Sequence, residues 1–459
     1  MNRSSQSGLF SFPFGMAALS MLILAVVSGV LLLVNQPPKK TATLTMWTFA
    51  RNHYDAYLAA IPAFEKAHPG VTVDLQLVAN NGLAQRLQAA FQADVDVPDL
   101  VEIEISSAGT FFRGPLKHIG FADITDRLKA EGLYEKMVAS RFAPYTSRGR
   151  VFGLPHDVHP VMIGYRRDIF EEEGVDVSQI ETWDDFIEVG KRLTIPNKRY
   201  MIEMSDTGRD QIEACLFQRG GGYFNEAGEL IFDNEVAVET MAWYVPLVAD
   251  QRAGKPNPNK IANTLSSSFG AVIAQGMEQG YFLCVVMPDW RTKLFETDIG
   301  KLSGKMGLMP FPAVEPGGAR TTTWGGTMLG ITRHSKNQDL AWELAKHLYM
   351  NETDLAERFA GTNILPPVRA AWDKPAFDAP NPYWSNQKLG REYANLAPMV
   401  PSQYTHPFIG TAKSKFSEAL TACVQYYASQ GEEGFEPFIR ETLKTKADEV
   451  RRQIARNPY

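Results

Sequence analysis

The sequence predicts an α/β protein with two lobes, and three observations support this fold class. The chain of 459 residues is longer than one ordinary hydrophobic core sustains. Its first part alternates strand and helix patterns. A long extended stretch, Phe152–Phe170 (FGLPHDVHPVMIGYRRDIF), then separates this part from a more helical one. Because Pro155 and Pro160 disfavour helix there, we interpret the stretch as a crossover between two lobes.

The first lobe is predicted to contain a parallel sheet. Apolar and polar residues alternate strictly in one of its segments, as in a half-buried strand. The predicted strands are Thr43–Phe49, Val71–Leu77 and Asp99–Ile105, and the predicted helices between them are Tyr54–His68 and Leu83–Ala93. Short connections between such elements imply right-handed parallel crossovers, and ligands lie beyond the carboxyl ends of parallel strands. Trp47, Glu104 and Ser106 are therefore expected on one rim.

The second part of the chain is predicted to be mainly helical. Thr182 is the expected N-cap of a helix that starts at Trp183, and a buried strand is predicted at Tyr281–Met287. A second extended run, Lys305–Phe311, predicts a second crossover, and the strand Thr327–Ile331 follows it. Further helices are predicted at Asp206–Arg219, Glu235–Gln251, Ser267–Gln279, Gln338–Met350, Phe416–Tyr427 and Phe435–Ile454.

The chain divides into five predicted segments. They are an N-terminal signal or anchor (1–40), the first part of lobe 1 (41–158), the first part of lobe 2 (159–308), a segment returning to lobe 1 (309–360) and C-terminal helices mainly of lobe 2 (361–459). The extended stretch and the second run then form strands of a hinge with two or three crossovers.

An apolar segment without charges lies near the amino terminus. Residues 15–34 (GMAALSMLILAVVSGVLLLV) have about the ~20-residue length that spans a bilayer. A cleaved signal needs small residues at the cut, and Val27-Ser28-Gly29 fits that pattern only loosely. The sequence therefore favours an uncleaved membrane anchor over a cleaved signal. In either case the bulk of the chain is predicted to be extracytoplasmic, in the periplasm or on the cell surface.

Charge and cysteine content exclude several classes of function. The 46 Lys and Arg against 52 Asp and Glu give a net charge of −6, which argues against nucleic acid as a partner. Cysteines 215, 284 and 423 lie far apart without a CxxC motif, so small buried hydrophobic residues are expected there, and one disulfide among them stays open.

Tryptophan placement points to a ligand. Trp290 and Trp324, like Trp47, are predicted at strand ends or in a Gly-rich loop, where a flat ring can stack on the C–H face of a sugar. Nearby Asp, Glu, Ser and backbone groups would then bind the hydroxyl groups. Tryptophans within predicted helices are instead expected in the core.

Catalytic and metal-binding interpretations are weaker. Glu104 and Asp157 suggest a glycosidase pair, but ordinary solvated or sugar-binding carboxylates are favoured. His156 and His159 beside Asp157 suggest a metal site, but on an extended segment two side chains three residues apart point to opposite faces. Since the sequence has no P-loop, GxSxG or HExxH motif, it predicts no enzyme, no cofactor and no metal site.

Several short motifs resemble, in their order and spacing, the extracellular solute-binding proteins of carbohydrate ABC transporters. This family-1 group includes the maltose-binding proteins. After Trp47 the motifs are residues 61–71 (IPAFEKAHPGV), 98–101 (PDLV), 153–155 (GLP), 163–170 (IGYRRDIF), 173–174 (EG), 182–186 (TWDDF), 221–223 (GGY), 324–326 (WGG) and 341–343 (AWE). Many relatives carry a lipidated Cys after the signal, whereas none of the cysteines here lies near residue 35.

The resemblance implies a two-lobed periplasmic-binding-protein-like fold of type II with a sugar in the cleft between the lobes. It places nine residues at the ligand: Trp47, Glu104 and Ser106 on the first lobe, Asp157 near the hinge, Tyr223 and Trp290 on the second lobe, and Trp324, Gly325 and Gly326 on a returning loop. It also implies a monomer that delivers a sugar or oligosaccharide to the permease subunits of an ABC transporter. The alternatives are a secreted polysaccharide-acting glycosidase and a sugar-sensing binding protein of a membrane receptor.

Overall fold

The computed structural model describes residues 15–34, 42–264 and 270–457. The chain divides into two units, Met1–Thr43 and Leu44–Tyr459. The first unit contains helix α1 (Gly15–Val34). Across the described ranges, no helix combines the length and the apolar character needed to cross a membrane. The anchor expected at residues 15–34 stays a prediction.

The second unit contains all the described strands and the other described helices. The strands are β1 (Leu44–Thr48), β2 (Val73–Leu77), β3 (Leu100–Glu104), β4 (Thr146–Ser147), β5 (Arg150–Val151), β6 (Leu154–Pro155), β7 (Val161–Arg166), β8 (Tyr200–Glu203), β9 (Gln251–Arg252), β10 (Lys255–Pro256), β11 (Ala262–Asn263), β12 (Phe282–Pro288), β13 (Met306–Pro310) and β14 (Thr327–Ile331). The helices are α2 (Arg51–Ala67), α3 (Asn80–Ala93), α4 (Ile105–Ala108), α5 (Thr125–Ala130), α6 (Arg167–Glu172), α7 (Trp183–Leu193), α8 (Asp210–Gln218), α9 (Glu235–Val248), α10 (Ala271–Glu278), α11 (Asp289–Asp298), α12 (Gln338–Met350), α13 (Glu352–Thr362), α14 (Leu389–Leu396), α15 (Ile409–Gln430) and α16 (Phe435–Arg456).

The first lobe is built on a five-stranded sheet in the order β2-β1-β3-β14-β6. Its first three strands are parallel, as predicted, and β14 is antiparallel to both β3 and β6. Because side chains alternate between the two faces, Leu44 and Met46 pack with residues of α2 and α12, while Trp47 and Val101 pack with residues of α3. The carboxyl end of β3, which bears Glu104, thus points towards the second lobe.

The second lobe is built on another five-stranded sheet, in the order β11-β8-β12-β7-β13. Strand β7 is antiparallel to both β12 and β13, so this sheet is mixed. One face, with Val161 and Ile163, packs with helices that include α15 and α16. The other face, with Met162 and Met287, packs with α10, α11 and α14. Both lobes are therefore α/β layers, as predicted.

The extended stretch at 152–170 joins the two sheets, but it is not one continuous run. It contributes β6 to the first sheet and β7 to the second, with His159 between them in a left-handed conformation (φ 54°). From Arg167 onwards the chain is helical, because α6 begins there. The prediction of a crossover is confirmed, whereas its extent was overestimated at the carboxyl end.

The second crossover lies later in the chain than Lys305–Phe311. That run forms β13, which pairs with β7 inside the second sheet. The chain then pairs with the first crossover at Thr323, which forms a bridge with Pro160, before entering the first sheet at Thr327. The crossing therefore occurs at residues 323–327. The division of the chain at 40, 158, 308 and 360 stays a prediction.

Most long helices lie where the spacing of apolar residues predicted them. Thr182 caps α7 in a reciprocal capping box with Asp185, and α12 has the predicted bounds. Residues 267–269 of the predicted helix Ser267–Gln279 lie outside the described residues. The three cysteines are buried and free, so the open possibility of a disulfide is not realised.

Candidate functional site

A cleft opens between the lobes beyond the carboxyl end of β3. Two adjoining cavities, of about 320 and 390 Å³, occupy it. The first is lined by Ile105 from the first lobe and by Tyr223 and Lys413 from the second. The two cavities share Asn225, Ser402, Tyr404 and Thr405. Pockets of this size are typical of small-molecule sites, so the cleft is the candidate functional site.

Glu104 and Ser106 flank Ile105, which lines the first cavity, but neither of them lines either cavity. The carboxylate of Glu104 caps the short helix α4 by accepting the backbone N–H of Ser106 at 2.9 Å and the Ser106 hydroxyl. Burial raises the pKa of Glu104, although the Ser106 hydrogen bonds and the charge of Lys413 oppose this shift. Ser106 therefore holds a desolvated carboxylate, one residue along the chain from the cavity-lining Ile105.

The second-lobe wall carries a charged cluster that the sequence did not single out. Glu213 accepts the hydroxyl of Tyr223 at 2.9 Å and the ammonium of Lys413 at 2.9 Å, and Arg209 lies 3.3 Å away. Tyr223 lines the cavity as predicted, but its ring is almost fully buried. Burial, with the nearby charge of Glu213, raises the pKa of Tyr223 well above its usual value, so its hydroxyl stays protonated.

Two buried polar atoms in the cleft have no hydrogen-bond partner among the residues that the structure describes. The amide oxygen Oε1 of Gln403 and the hydroxyl oxygen Oγ1 of Thr405 are both enclosed, and both residues line the first cavity. Buried polar groups are nearly always hydrogen-bonded, so these atoms are free to bind a ligand. The stretch at 401–407 (PSQYTHP) shows by its prolines that it is a loop, but nothing in its spacing indicates the cleft.

Trp47 does not lie on the rim, contrary to the prediction. It is 2% exposed and packs with Leu83 and Leu87 of α3, and the guanidinium of Arg86 lies 4.0 Å from its ring centroid. The alternation of side chains along β1 turns the ring under α3, so it is not available to stack on a sugar.

Trp290 and Trp324 lie together at the second crossover. Their rings meet edge to face at 5.8 Å, and the indole nitrogen of Trp290 donates to the backbone oxygen of Trp324 at 2.9 Å. Neither ring lines either of the two cavities. The structure thus brings together two of the predicted site residues, but beside the hinge and not against the cavity.

Gly325 and Gly326 let the backbone of the second crossover approach Arg141 closely. Both have positive φ, 99° and 156°. A Cβ atom on Gly326 would lie 2.6 Å from Nη2 of Arg141 and 2.9 Å from the hydroxyl of Tyr145. Arg141 Nη2 donates to the backbone oxygen of Gly325 at 3.0 Å. The glycines are therefore explained by packing at the hinge.

Asp157 belongs to a buried cluster that joins the crossovers, which we call the hinge cluster (Arg141, Asp157, His159 and Asp289). Arg141 donates to the backbone oxygen of Asp157 at 3.1 Å. The imidazole of His159 lies between two carboxylates, 3.1 Å from Asp157 and 2.6 Å from Asp289. Asp289 also accepts the backbone N–H of Leu365 at 2.7 Å, which ties in a third passage of the chain.

The match to known families follows the fold and the cleft. Residues 50–354 match the model of the bacterial extracellular solute-binding proteins. The chain belongs to this family. The resemblance seen in the sequence is thereby confirmed, and an extracytoplasmic location follows from the family.

Relatives of this solute-binding protein are known from several bacteria. An arabinooligosaccharide-binding protein of Halalkalibacterium halodurans is 26% identical over 343 residues, which cover 74% of this chain and 75% of that protein. Its counterpart from Bacillus subtilis is 26% identical over 327 residues, covering 71% and 73%. The structure of the sugar-binding protein MalE of Xanthomonas citri has a TM-score of 0.73 at 18% identity, over 89% of this chain and 98% of that one. This likeness shows the fold.

The electrostatics of the solute-binding protein fix the charges of the hinge cluster. Burial lowers the pKa of His159, but Asp157 and Asp289 outweigh it and raise this pKa to about 9. Burial alone would raise the pKa of Asp157, but the neighbouring His159 and His156 hold this pKa well below its usual value. At neutral pH the imidazolium and the carboxylate therefore form a buried ion pair.

The two histidines of the first crossover are not on opposite faces, and that prediction was wrong. His156 Nδ1 and His159 Nε2 lie 3.3 and 3.1 Å from the same oxygen of Asp157. The left-handed turn at His159 breaks the alternation that the prediction assumed. With Asp157 fully buried and absent from the lining of both cavities, Glu104 and Asp157 do not both face the cleft.

Proposed function

We propose that this solute-binding protein binds an oligosaccharide in the cleft and delivers it to the permease subunits of an ABC transporter. One observation carries the proposal: the cavity between the lobes is lined by two buried polar atoms that no group among the described residues satisfies. Two curated relatives in the same family are named arabinooligosaccharide-binding proteins, which supports a sugar chain as the ligand.

Sugar hydroxyls suit this lining because each both donates and accepts a hydrogen bond. Gln403 Oε1 accepts, and the hydroxyl of Thr405 does either. Glu104 and Ser106 are polar neighbours of the cavity-lining Ile105 on the first lobe, so we propose these four residues as ligand contacts. In this proposal Tyr223 contributes to binding indirectly. Its hydroxyl donates to Glu213, which also pairs with Lys413 on the second-lobe wall.

The remaining predicted site residues act on closure in this proposal. Asp157, Trp290, Trp324, Gly325 and Gly326 surround the crossovers, about which the lobes would open and close as a hinge. A ligand that contacts both walls favours the closed form, which then docks on the permease. We propose that the protein does this as a monomer, which sedimentation of the ligand-bound chain tests directly.

The binding experiment uses the purified full-length chain and isothermal titration with arabino-, galacto- and maltooligosaccharides of increasing length. Thr405→Val keeps the shape of the side chain and removes the unpartnered hydroxyl. Loss of one hydrogen bond is worth about 1 kcal/mol, so affinity for the best ligand should fall roughly fivefold. Stability of the free protein should not fall, because the hydroxyl has no partner in the protein.

Thr332→Val is the matched control. Its hydroxyl is also buried, but it donates to the backbone oxygen of Pro98 at 2.7 Å. This change should lower the free energy of unfolding by about 1 kcal/mol and leave affinity unchanged. If no oligosaccharide binds, or if the two variants behave alike, the cleft is not the site.

We also propose that binding is not followed by catalysis. The carboxylates that suggest a glycosidase differ in setting, since Asp157 is held in the hinge cluster. The same oligosaccharides are incubated with the protein and analysed for shorter products. Product formation that disappears in Glu104→Gln would show an enzyme.

The N-terminal segment is a separate proposal, which rests on its sequence alone. We propose that the apolar stretch at 15–34 directs export and stays attached as an anchor. Sequencing the amino terminus of the protein recovered from the cell envelope tests this. A mature end beyond residue 34 contradicts the anchor without affecting the binding proposal.

A further inference from the structure

Three buried side chains with metal-binding atoms meet in the first lobe, away from the two cavities. They are His53 on α2, Glu102 on β3 and His156 just after β6, and each is less than 5% exposed. One ligand atom from each lies within 4.8 Å of the others. None of the three lines the cleft.

His156 is oriented as a metal ligand would be. Its Nδ1 atom lies 3.3 Å from the carboxylate of Asp157, which holds the ring proton on that side. Its other nitrogen, Nε2, is buried and has no hydrogen-bond partner in the described part of the chain. Metal-bound histidines commonly have this arrangement, in which a carboxylate fixes the tautomer and the opposite nitrogen offers a lone pair.

Glu102 is a fully buried carboxylate whose contacts, among the residues described, include no Lys or Arg. Its Oε2 atom lies 3.1 Å from Nδ1 of His53 and accepts the hydroxyl of Thr48. Its Oε1 atom accepts the hydroxyls of Tyr57 and Tyr349. A buried carboxylate is normally paired with a cation or bound to a metal, and the hydroxyls here would orient it as outer partners.

We propose that His53, Glu102 and His156 bind one divalent transition-metal ion of the zinc class. Two imidazoles and one carboxylate are a familiar zinc donor set. Two ligand atoms that each lie ~2.1 Å from one ion are at most ~4.2 Å apart. The ligand atoms here lie within 4.8 Å of one another, so the most distant pair would have to approach by no more than ~0.6 Å. The ion would join α2, β3 and the first crossover, and so brace the hinge against the first lobe.

The spacing of these residues along the chain does not indicate this site. It presented His156, Asp157 and His159 as neighbours, whereas His53 precedes His156 by about a hundred residues. Only the packing of α2 on the first sheet brings the three ligands together. Asp157 and His159 then lie outside the proposed coordination shell.

The test uses the full-length chain purified without a polyhistidine tag, stripped with a chelator and dialysed. Zinc sulfate is titrated against a chromophoric chelator, and the zinc retained after gel filtration is measured. One equivalent is expected to bind and to raise the melting temperature. His156→Gln should weaken zinc affinity more than about tenfold. His334→Gln, which removes an exposed histidine beside Asp94, should not.

A cobalt titration of the unaltered protein gives a second measurement that needs no variant. Co²⁺ bound by two imidazoles and a carboxylate in a tetrahedral site gives strong visible bands. Absence of both the bands and a retained zinc equivalent would overturn the proposal. So would a folded His156→Gln protein that binds zinc as tightly as the parent. If that variant does not fold, His53→Gln replaces it under the same criterion.

Discussion

Each nitrogen of the His159 imidazole faces a carboxylate, so this residue should make stability depend on pH. Its pKa is about 9 in the folded protein against 6.5 when unperturbed. Because the folded protein binds the imidazole proton more tightly than the unfolded chain does, the protonated His159 stabilises the fold. This stabilisation is complete below pH ~6.5 and is lost as the pH rises through ~9. The contribution at neutral pH is about 3 kcal/mol. The free energy of unfolding should therefore fall between pH 7 and pH 10.

His159→Gln isolates that contribution from other groups that titrate at alkaline pH. The variant should be less stable at pH 7 by about 3 kcal/mol and should lose less stability than the parent by pH 10. Denaturant unfolding at several pH values measures both. His68→Gln is the control, because the His68 ring lies against the backbone oxygen and the ring of Phe64 and against no carboxylate among the described residues. Parallel pH profiles for His159→Gln and the parent would exclude this role.

Single residues could be predicted where a general rule of sheet geometry decides their place. Glu104 and Ser106 could be placed at the carboxyl end of β3 because that strand runs parallel to β1, and their role at a ligand stays a prediction. Trp47 was misplaced because the sequence does not reveal which face of a central strand turns to the ligand. Gln403 and Thr405 were missed because a loop reaches the cleft only through the packing of the whole chain.

The crossovers are the elements on which closure depends, and Pro160 links two of them through its bridge with Thr323. Pro160→Gly removes the fixed φ directly after the left-handed His159. The free energy of unfolding should fall by about 1 kcal/mol, because glycine gives the unfolded chain more conformational freedom. Ligand affinity should fall further, because the hinge then samples more open forms. Isothermal titration and denaturant unfolding measure the two effects.

Pro375→Gly is a matched control for the hinge, since Pro375 starts a short 3-10 helix distant from the crossovers in the chain. Pro375→Gly should lower the free energy of unfolding by about as much as Pro160→Gly does, and it should leave ligand affinity unchanged. Equal losses of affinity in the two variants would count against the hinge role of Pro160.

Elements with a strong local signal were predictable, and those defined by pairing were not. The spacing of apolar residues predicted α12, and Thr182 as the expected N-cap predicted the start of α7. Helix α11 begins at Asp289, directly after Pro288, where the sequence showed only the end of a strand. The run at 305–311 resembles a crossover locally, and only its pairing with β7 places it inside the second sheet.

The lobes touch across the mouth of the cleft, where one glycine of the first lobe faces the start of α15. A Cβ atom on Gly109 would clash with the hydroxyl of Thr405 and lie 2.6 Å from the backbone oxygen of His406. Nearby, the guanidinium of Arg113 lies over the ring of Phe408, 4.9 Å from its centroid. Full closure of the molecule therefore requires the absence of a side chain at position 109.

Gly109→Ala should hold the lobes apart without unfolding either. The backbone at Gly109 is right-handed helical (φ −58°), so alanine fits the local conformation and the effect comes from the lost space. Ligand affinity should fall about tenfold or more, equivalent to ~1.4 kcal/mol of closure energy. The radius of gyration of the ligand-saturated protein should exceed that of the parent, while unfolding changes little. Gly361→Ala, where an added Cβ meets nothing within 4 Å, should leave both quantities unchanged. Parental affinity in Gly109→Ala would show that the ligand binds without this contact between the lobes.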